Sequence, residues 1–195
     1  MRQTPSPGKN IDFGLFGACG IKGGDAVADQ LDKLAGGIAI PVTSQRGWTA
    51  RLNYLTRAGH ARQAAKAAGL TVTDRILKAW REGKQQPSRA SLEKIGRAYR
   101  AVRRRNVAAH LLKRLNRDGR GTRIEVHPLD QSQVPQRHKR VLPHRELNVR
   151  RWDRLVGAWA AGDHTGLEAA WGDVIGDLGS DWGSYEYVTN VGFAA

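Results

Sequence analysis

Three observations predict a mostly α-helical protein with a helix–turn–helix module, a long arginine-rich helix and a small α+β C-terminal module. Apolar residues recur at helical spacing through most of the chain, and glycine and proline separate these segments. Alternating apolar residues, typical of strands, stand out only around 122–126 and 185–191. We therefore divide the chain into a flexible segment 1–23, a DNA-binding helix–turn–helix module 24–121 and an α+β module 122–195.

The charge of the chain is strongly basic and unevenly distributed. The 195 residues carry a formal net charge of +14. Residues 44–125 hold 21 Lys and Arg against 5 Asp and Glu, whereas residues 163–195 hold six acids and neither Lys nor Arg. A basic middle beside neutral or acidic ends indicates a surface that binds a polyanion such as DNA, with a merely solvated basic face as the alternative.

The cysteine content and the apolar segments of the chain indicate its cellular location. Cys19 is the only cysteine, so one chain can form neither an internal disulfide nor a cysteine-based zinc cluster. No apolar run reaches the length of a membrane span, and glycines interrupt the apolar N-terminal stretch, which lacks the continuous core of a signal peptide. We expect a cytoplasmic, nucleoid-associated protein with no membrane partner.

The helix–turn–helix is predicted in "AAKAAGLTVTDRILKAWREGKQQPS", residues 64–88. An alanine-rich helix ends at Gly69, and its small side chains allow a close approach of helices. Thr71 and Thr73 are both able to cap the second helix, and Thr73 takes the more usual place. That helix ends before Gly83.

The second helix has two faces. Ile76, Leu77 and Trp80 share one face and are predicted to pack inward, which turns the charged residues toward the major groove. Arginine can contact guanine through two hydrogen bonds, and lysine and arginine also bind phosphates. An amphipathic hairpin within a helical bundle is the alternative interpretation. The residues predicted to contact DNA, on this helix and beyond it, are Thr71, Thr73, Asp74, Arg75, Lys78, Arg81, Lys84, Arg97, Arg100, Arg103, Arg104 and Arg105.

The flanking segments complete the predicted architecture. A short helix is predicted in 24–37, and a long helix in 88–121 whose arginines would track phosphates, with a break near "RRRN" left open. A strand at "TRIEV", a polar loop at "LDQSQVPQRHKRVLPHR" and two helices within "ELNVRRWDRLVGAWAAG" and "DHTGLEAAWGDVIGDLGS" follow. A final strand around "YEYVTNV" is predicted to pair with "TRIEV".

No catalytic, cofactor or metal site is predicted. The N-terminal glycines lack the Gly-Lys-Ser/Thr ending of a phosphate-binding loop. His138 and His144 flank the basic loop without an acidic or cysteine partner at a metal-binding spacing. The sequence offers no nucleophile–base arrangement, so we do not expect an enzyme.

The basic core resembles a known family. The stretch "QRGWTARLNYLTRAGHARQAAKAAGLTVTDRILKAWREGKQQPSRASLEKI" looks like the helix–turn–helix core of the telomere terminal proteins of actinobacterial linear chromosomes and plasmids. It is also similar, less closely, to phage-repressor-type transcription factors. The order of features beyond the core, over residues 24–195, resembles the terminal proteins too.

The resemblance implies a specific function. Terminal proteins bind telomeric DNA, become covalently joined to its 5′ end through a side-chain hydroxyl, and prime end replication by a DNA polymerase. A telomere-associated protein recruits them. The family's acceptor is a threonine after the arginine-rich helix, and this region offers Thr122 and Ser132, with serine rather than threonine near "DQSQVP". This chain would accept a nucleotide from the polymerase, without being a catalyst itself.

Two other functions stay open at this point. The first is a sequence-specific transcriptional regulator that forms a homo-oligomer through its tryptophan-rich C-terminal module. The second is an architectural plasmid-maintenance protein that binds DNA with little sequence preference.

Overall fold

The computed structural model describes residues 16–57, 59–176 and 184–194, and the chain is mostly helical with a small strand module near its C-terminus, as predicted. The helices are α1 Gly23–Ala35, α2 Gln45–Thr56, α3 Gly59–Ala67, α4 Asp74–Arg81, α5 Arg89–Asn116, α6 Asp153–Ala161 and α7 His164–Gly176. The strands are β1 Ile21–Lys22, β2 Thr122–His127, β3 Arg145–Val149, β4 Tyr187–Val188 and β5 Asn190–Ala194. Among these helices, none is long and apolar enough to cross a membrane.

The chain divides into two compact units whose bounds differ from the predicted ones. The helical unit is Ala35–Ala109, and the sheet unit combines the residues up to Leu34 with those from His110 onward. The cause of the difference is that the N-terminal elements pack with the C-terminal ones. The indole of Trp159 donates to the Asp32 carboxylate at 3.0 Å, and β1 pairs with β4.

Of the predicted flexible segment 1–23, the structure describes residues 16–23. Residues 1–15 lie outside the described ranges. Ile21 and Lys22, which belong to the predicted flexible segment, form β1 and pair in antiparallel register with Val188 and Tyr187.

The helical unit is built around one apolar core. Its members come from each of its four helices and from the turn between α3 and α4. Those with less than a tenth of their surface exposed are Trp48, Leu52, Leu55, Ala61, Ala65, Leu70, Leu77, Trp80, Ile95, Ala98, Tyr99 and Val102. Because α2, α3, α4 and α5 all contribute, the position of each helix depends on the others.

A half-buried arginine, Arg51, fixes the segment that precedes α2. The guanidinium of Arg51 donates to the carbonyl oxygens of Ile38 and Ile40 at 2.9 and 2.8 Å, and lies 5.4 Å from the ring centre of Tyr99. Burial lowers the pKa of Arg51 from its ordinary value. The cation therefore acts as a structural clamp within the helical unit.

The sheet unit contains a three-stranded antiparallel sheet in the order β3-β2-β5. Ile124 and Val126 of β2 are fully buried on one face of the sheet. The predicted pairing of "TRIEV" with the C-terminus is confirmed, and it involves β5, whereas Tyr187 and Val188 pair with β1 instead.

One strand was predicted wrongly. Residues of "ELNV", which the sequence placed at the start of a helix, form β3, and α6 begins only at Asp153. Pairing runs from Thr122 opposite Val149 to Val126 opposite Arg145. The hydrogen bonds supplied by β2 therefore override the local helical pattern.

The long helix α5 runs through 28 residues without the break considered near "RRRN".

Replacing Gly121 with alanine is expected to lower the free energy of unfolding by about 3 kcal/mol. Gly121 has φ +76°, and an added Cβ would lie 2.4 Å from the Val149 carbonyl oxygen. The control is Gly119→Ala, because Gly119 has φ +86° and no atom within 4 Å of an added Cβ. Urea denaturation should show a loss of only about 1 kcal/mol for the control. Equal losses would mean that the close approach to Val149 has no energetic consequence.

Candidate nucleic-acid interface

The turn between α3 and α4 is a defined helix C-terminus. Gly69 has φ +92°, which favours glycine, and its amide donates to the Lys66 carbonyl at 2.9 Å. The amide of Leu70 donates to the Ala65 carbonyl at 3.0 Å, and both side chains lie in the core. This pair of hydrogen bonds is the Schellman motif, so the direction in which the chain leaves α3 is set by local geometry.

The start of α4 is capped as predicted. Thr73 has extended backbone angles, and its hydroxyl oxygen accepts from the Ile76 amide at 3.4 Å. Thr71 lies exposed in the turn, two residues before the cap. The capping prediction for Thr73 is therefore confirmed, and the hydroxyl of Thr73 is partly occupied by the helix itself.

The buried face of α4 also agrees with the sequence. Leu77 and Trp80 belong to the core, 8% and 4% exposed, and Ile76 is partly buried against it. These anchors fix the rotation of the helix, and they leave the remaining charged side chains of α4 at the surface. The exposed residues within and just beyond α4 are Asp74, Arg75, Lys78, Arg81, Glu82 and Lys84.

Asp74 and Arg81 connect α4 to its neighbours. The Asp74 carboxylate forms an ion pair with Arg62 of α3, and both side chains are partly exposed. The Arg81 side chain donates through Nε to the Asn53 amide oxygen of α2 at 2.9 Å. Asp74 therefore helps to hold the two helices of the motif together, while among the described residues no partner is recorded for the terminal nitrogens of Arg81.

Glu82 is held between two lysines. Its carboxylate oxygens lie 2.7 Å from Nζ of Lys84 and 3.8 Å from Nζ of Lys78. The hydrogen bond from Lys84 lowers the pKa of Glu82, and the same contact raises the pKa of Lys84. Glu82 is therefore ionised at neutral pH and offsets part of the positive charge at this end of α4.

Arg75 differs from the other cations of α4. It is exposed, and within the described ranges no acidic side chain pairs with it. Arg75 and Lys78 are three residues apart, which places them on neighbouring positions of one helix face. On this face Arg75 has no acidic partner among the described residues, and Lys78 lies 3.8 Å from the Glu82 carboxylate.

An open groove lies beside the exposed face of α4. Its volume is about 640 Å³, and α2, α3 and α4 all contribute to it. The residues that line it are Thr49, Asn53, Thr56, Arg62, Asp74, Leu77, Lys78, Arg81 and Glu82. Apart from Leu77 the lining side chains are polar or charged, and they include hydroxyl, amide and guanidinium donors that suit phosphate oxygens.

The predicted phosphate contacts on α5 fall into two groups. Arg97, Arg100 and Arg105 are exposed, and Arg104 is partly buried with a contact of its own. Arg103 is used inside the helical unit, since its guanidinium donates to the Ala35 carbonyl at 2.7 Å. The exposed arginines are accessible for the predicted phosphate contacts, whereas the Arg103 guanidinium already binds the Ala35 carbonyl.

The two candidate acceptor hydroxyls differ sharply in access. Thr122 is 1% exposed, and its hydroxyl donates to the Leu115 carbonyl at 2.6 Å. It therefore cannot reach a nucleotide in this conformation, which corrects its place among the candidates. Ser132 is exposed, in a turn where its amide donates to the Asp130 carboxylate at 2.8 Å.

The loop around Ser132 is closed by a side chain. The Gln131 amide accepts from the Arg140 backbone N–H at 2.7 Å and donates to the Arg140 carbonyl at 2.9 Å. This pair of bonds replaces a backbone pairing and orders the intervening turn. The segment also carries Arg137 and Lys139, both exposed, so the serine hydroxyl stands in a positively charged loop.

Two residues of the interface were missed from the sequence. Arg62 and Asn53 join α3 and α2 to α4, and neither belongs to the predicted recognition helix. An acidic first residue on the predicted recognition helix is the signal that would have suggested a basic partner on the preceding helix.

Comparison of the chain with protein-family models, with curated proteins and with solved structures found no match.

Proposed function

We propose that the chain binds duplex DNA through α3 and α4, with α4 in the major groove. One observation carries this proposal: α4 is capped, anchored by Leu77 and Trp80, and turns Arg75 and Lys78 outward. A recognition helix needs both properties, because its side chains must be aimed at base edges by a rigid support.

The proposed roles of the cations follow from their contacts. Arg75 is assigned to base edges, since an arginine with no acidic partner in the described part of the chain can direct both terminal nitrogens to guanine. Lys78, Arg81 and Lys84 are assigned to phosphates near the same groove, where their internal contacts leave donors available. Exposed arginines of α5 add affinity that depends on salt and little on sequence.

Replacing Arg75 with alanine is expected to relax the base preference at one position of the bound site and to weaken specific binding about 10- to 100-fold. Sites would first be selected from a random duplex library with the full chain, and affinities then measured by fluorescence anisotropy. The control is Arg97→Ala, which should weaken binding to all duplexes alike and reduce the salt slope by about one. An unchanged site preference in Arg75→Ala would contradict the assigned orientation of α4.

We further propose that the DNA is an end and that Ser132 is the acceptor for protein-primed synthesis. The support is the resemblance to terminal proteins together with an exposed hydroxyl in an ordered, basic loop. In this step the serine oxygen attacks the α-phosphorus of a deoxynucleoside triphosphate. A phosphoester bond forms, the α–β phosphoanhydride bond breaks, pyrophosphate leaves, and the hydroxyl proton passes to solvent. The polymerase would supply the metal ions.

Incubation with a labelled deoxynucleotide, Mg²⁺ and the polymerase of the same replicon tests this second proposal. Label that stays on the chain through SDS and acid supports it, and its absence with an authentic telomere and recruiting protein would contradict it. Protection of a palindromic site with half-sites about one helical turn apart would instead favour a transcriptional regulator. A steep salt dependence with little sequence preference would favour an architectural protein.

A further inference from the structure

We propose that Glu125, His127 and His144 form a zinc-binding site on the exposed face of the three-stranded sheet. The side-chain ligand atoms of these three residues all lie within 4.8 Å of one another. The site lies outside the helix–turn–helix, and its existence does not depend on DNA binding or on priming.

The strand register brings the three residues together. Glu125 and His127 are two residues apart on β2, so both point to the face opposite the buried Ile124 and Val126. The paired register ends with Val126 opposite Arg145, and His127 and His144 are the next residues along the two chain segments. The imidazole ring centres of these two histidines lie 4.7 Å apart.

The charges around the cluster leave Glu125 available. Glu146 is the cross-strand neighbour of Glu125, and it forms an ion pair with Arg123. Oε2 of Glu125 instead lies 3.8 Å from Nε2 of His127. On the other side Glu125 faces Gly192 of β5, which has no side chain to obstruct the approach of an ion.

The donor set selects the class of metal. Two imidazoles and one carboxylate are a known zinc ligand set, and they leave a fourth position for water or another ligand. Tetrahedral ligands at about 2.05 Å from zinc lie about 3.3 Å from one another. Oε2 of Glu125 and Nε2 of His127 are 3.8 Å apart, close to this value. Small side-chain rotations at a partly exposed surface would bring the ligand atoms to the distances that zinc requires.

A bound ion would also act on the neighbouring loop. His127 and His144 stand at the two ends of the segment 128–143, which carries Ser132. An ion that joins both histidines would close the base of this segment and reduce its conformational freedom. Zinc should therefore protect the loop from trypsin, whose cleavage sites include Arg137 and Lys139.

Titration of the tag-free, metal-stripped full chain with ZnCl₂ in a calorimeter tests the proposal. We expect one equivalent to bind, and His127→Ala or His144→Ala to weaken that binding by more than about 10-fold. His110→Ala is the matched control, because His110 is an exposed histidine on α5 of the same unit. Wild-type affinity in both cluster variants, or no binding by the native chain, would overturn the proposal.

Two further readouts separate ligation from loss of structure. Far-UV circular dichroism should be unchanged in all three variants, since the replaced side chains are at least partly exposed. Should one cluster variant unfold, Glu125→Gln provides the decisive measurement, because it keeps the size of the side chain and removes the anionic ligand. Slower trypsin cleavage at Arg137 with zinc, in the native chain and in His110→Ala only, supports the site. Equal protection of the His144→Ala chain would refute it.

Discussion

Trp80→Ala is expected to destabilise the helical unit by about 3–5 kcal/mol and, with it, to weaken the proposed DNA binding. Trp80 is 4% exposed in the core formed by α2, α3, α4 and α5. Truncation of a buried tryptophan costs about 3–5 kcal/mol, a large part of the 5–15 kcal/mol that stabilises a typical domain. The loss falls on a residue that holds α4 against the rest of the core, so stability and the proposed DNA binding should decline together.

Trp80→Phe is the matched control. The indole nitrogen of Trp80 is buried, and no partner for it is found among the described residues, so phenylalanine removes no hydrogen bond. Most of the apolar contact is kept, and the loss should be below about 1.5 kcal/mol. Urea denaturation followed by circular dichroism and DNA binding by anisotropy would be measured on both variants. Native stability in Trp80→Ala would show that α4 does not depend on this core contact.

Ser132→Ala is expected to eliminate transfer of labelled nucleotide to the chain while leaving duplex binding unchanged. The substitution removes a single oxygen atom from an exposed turn, and it keeps the hydrogen bond that the Ser132 backbone N–H donates to the Asp130 carboxylate. Without that oxygen no phosphoester can form at this position. The measurement is the label retained after SDS and acid treatment, followed by peptide mapping of the modified residue.

Thr165→Ala is the control for this loss, because Thr165 is also an exposed hydroxyl residue in the sheet unit. Full labelling of Thr165→Ala beside none of Ser132→Ala would assign the acceptor. Retained labelling of the Ser132→Ala chain would instead move the acceptor to another side chain. Thr122 would then require an opening of the structure, because its hydroxyl is buried against the Leu115 carbonyl.

Much of the helical architecture could be predicted because its signals are local. The glycine at position 69, the cap at Thr73 and the apolar spacing of Leu77 and Trp80 each act within a few residues. Propensity, capping and periodicity agree over this stretch, so the sequence alone predicts both helices and the turn. The same agreement explains why the long helix α5 was recognised.

The errors arose where distant residues decide the structure. The strand β3 exists because β2 pairs with it, and the segment "ELNV" by itself shows a pattern compatible with a helix. The Thr122 hydroxyl is likewise engaged by the Leu115 carbonyl, seven residues earlier, at the end of α5. The number of residues between two positions does not predict either contact, because both depend on tertiary packing.

The candidate sites were predicted with unequal success for the same reason. Asp74 and Arg81 appeared as free ligands for DNA because their partners, Arg62 and Asn53, lie on other helices. The approach of His127 to His144 results from strand register across a loop of 16 residues, 128–143, which no local spacing rule describes. Sequence patterns identify the chemical groups, and the fold decides which of them meet.

The division of α4 into a buried and an exposed face has an evolutionary consequence. Leu77 and Trp80 determine whether the helix is held in place, whereas Arg75 and Lys78 face outward and contribute nothing to the core. If α4 contacts DNA as proposed, substitutions at the outward positions change the preferred DNA sequence without first requiring a compensating change in the interior. A new DNA target would then be acquired through a few surface substitutions on an unchanged scaffold.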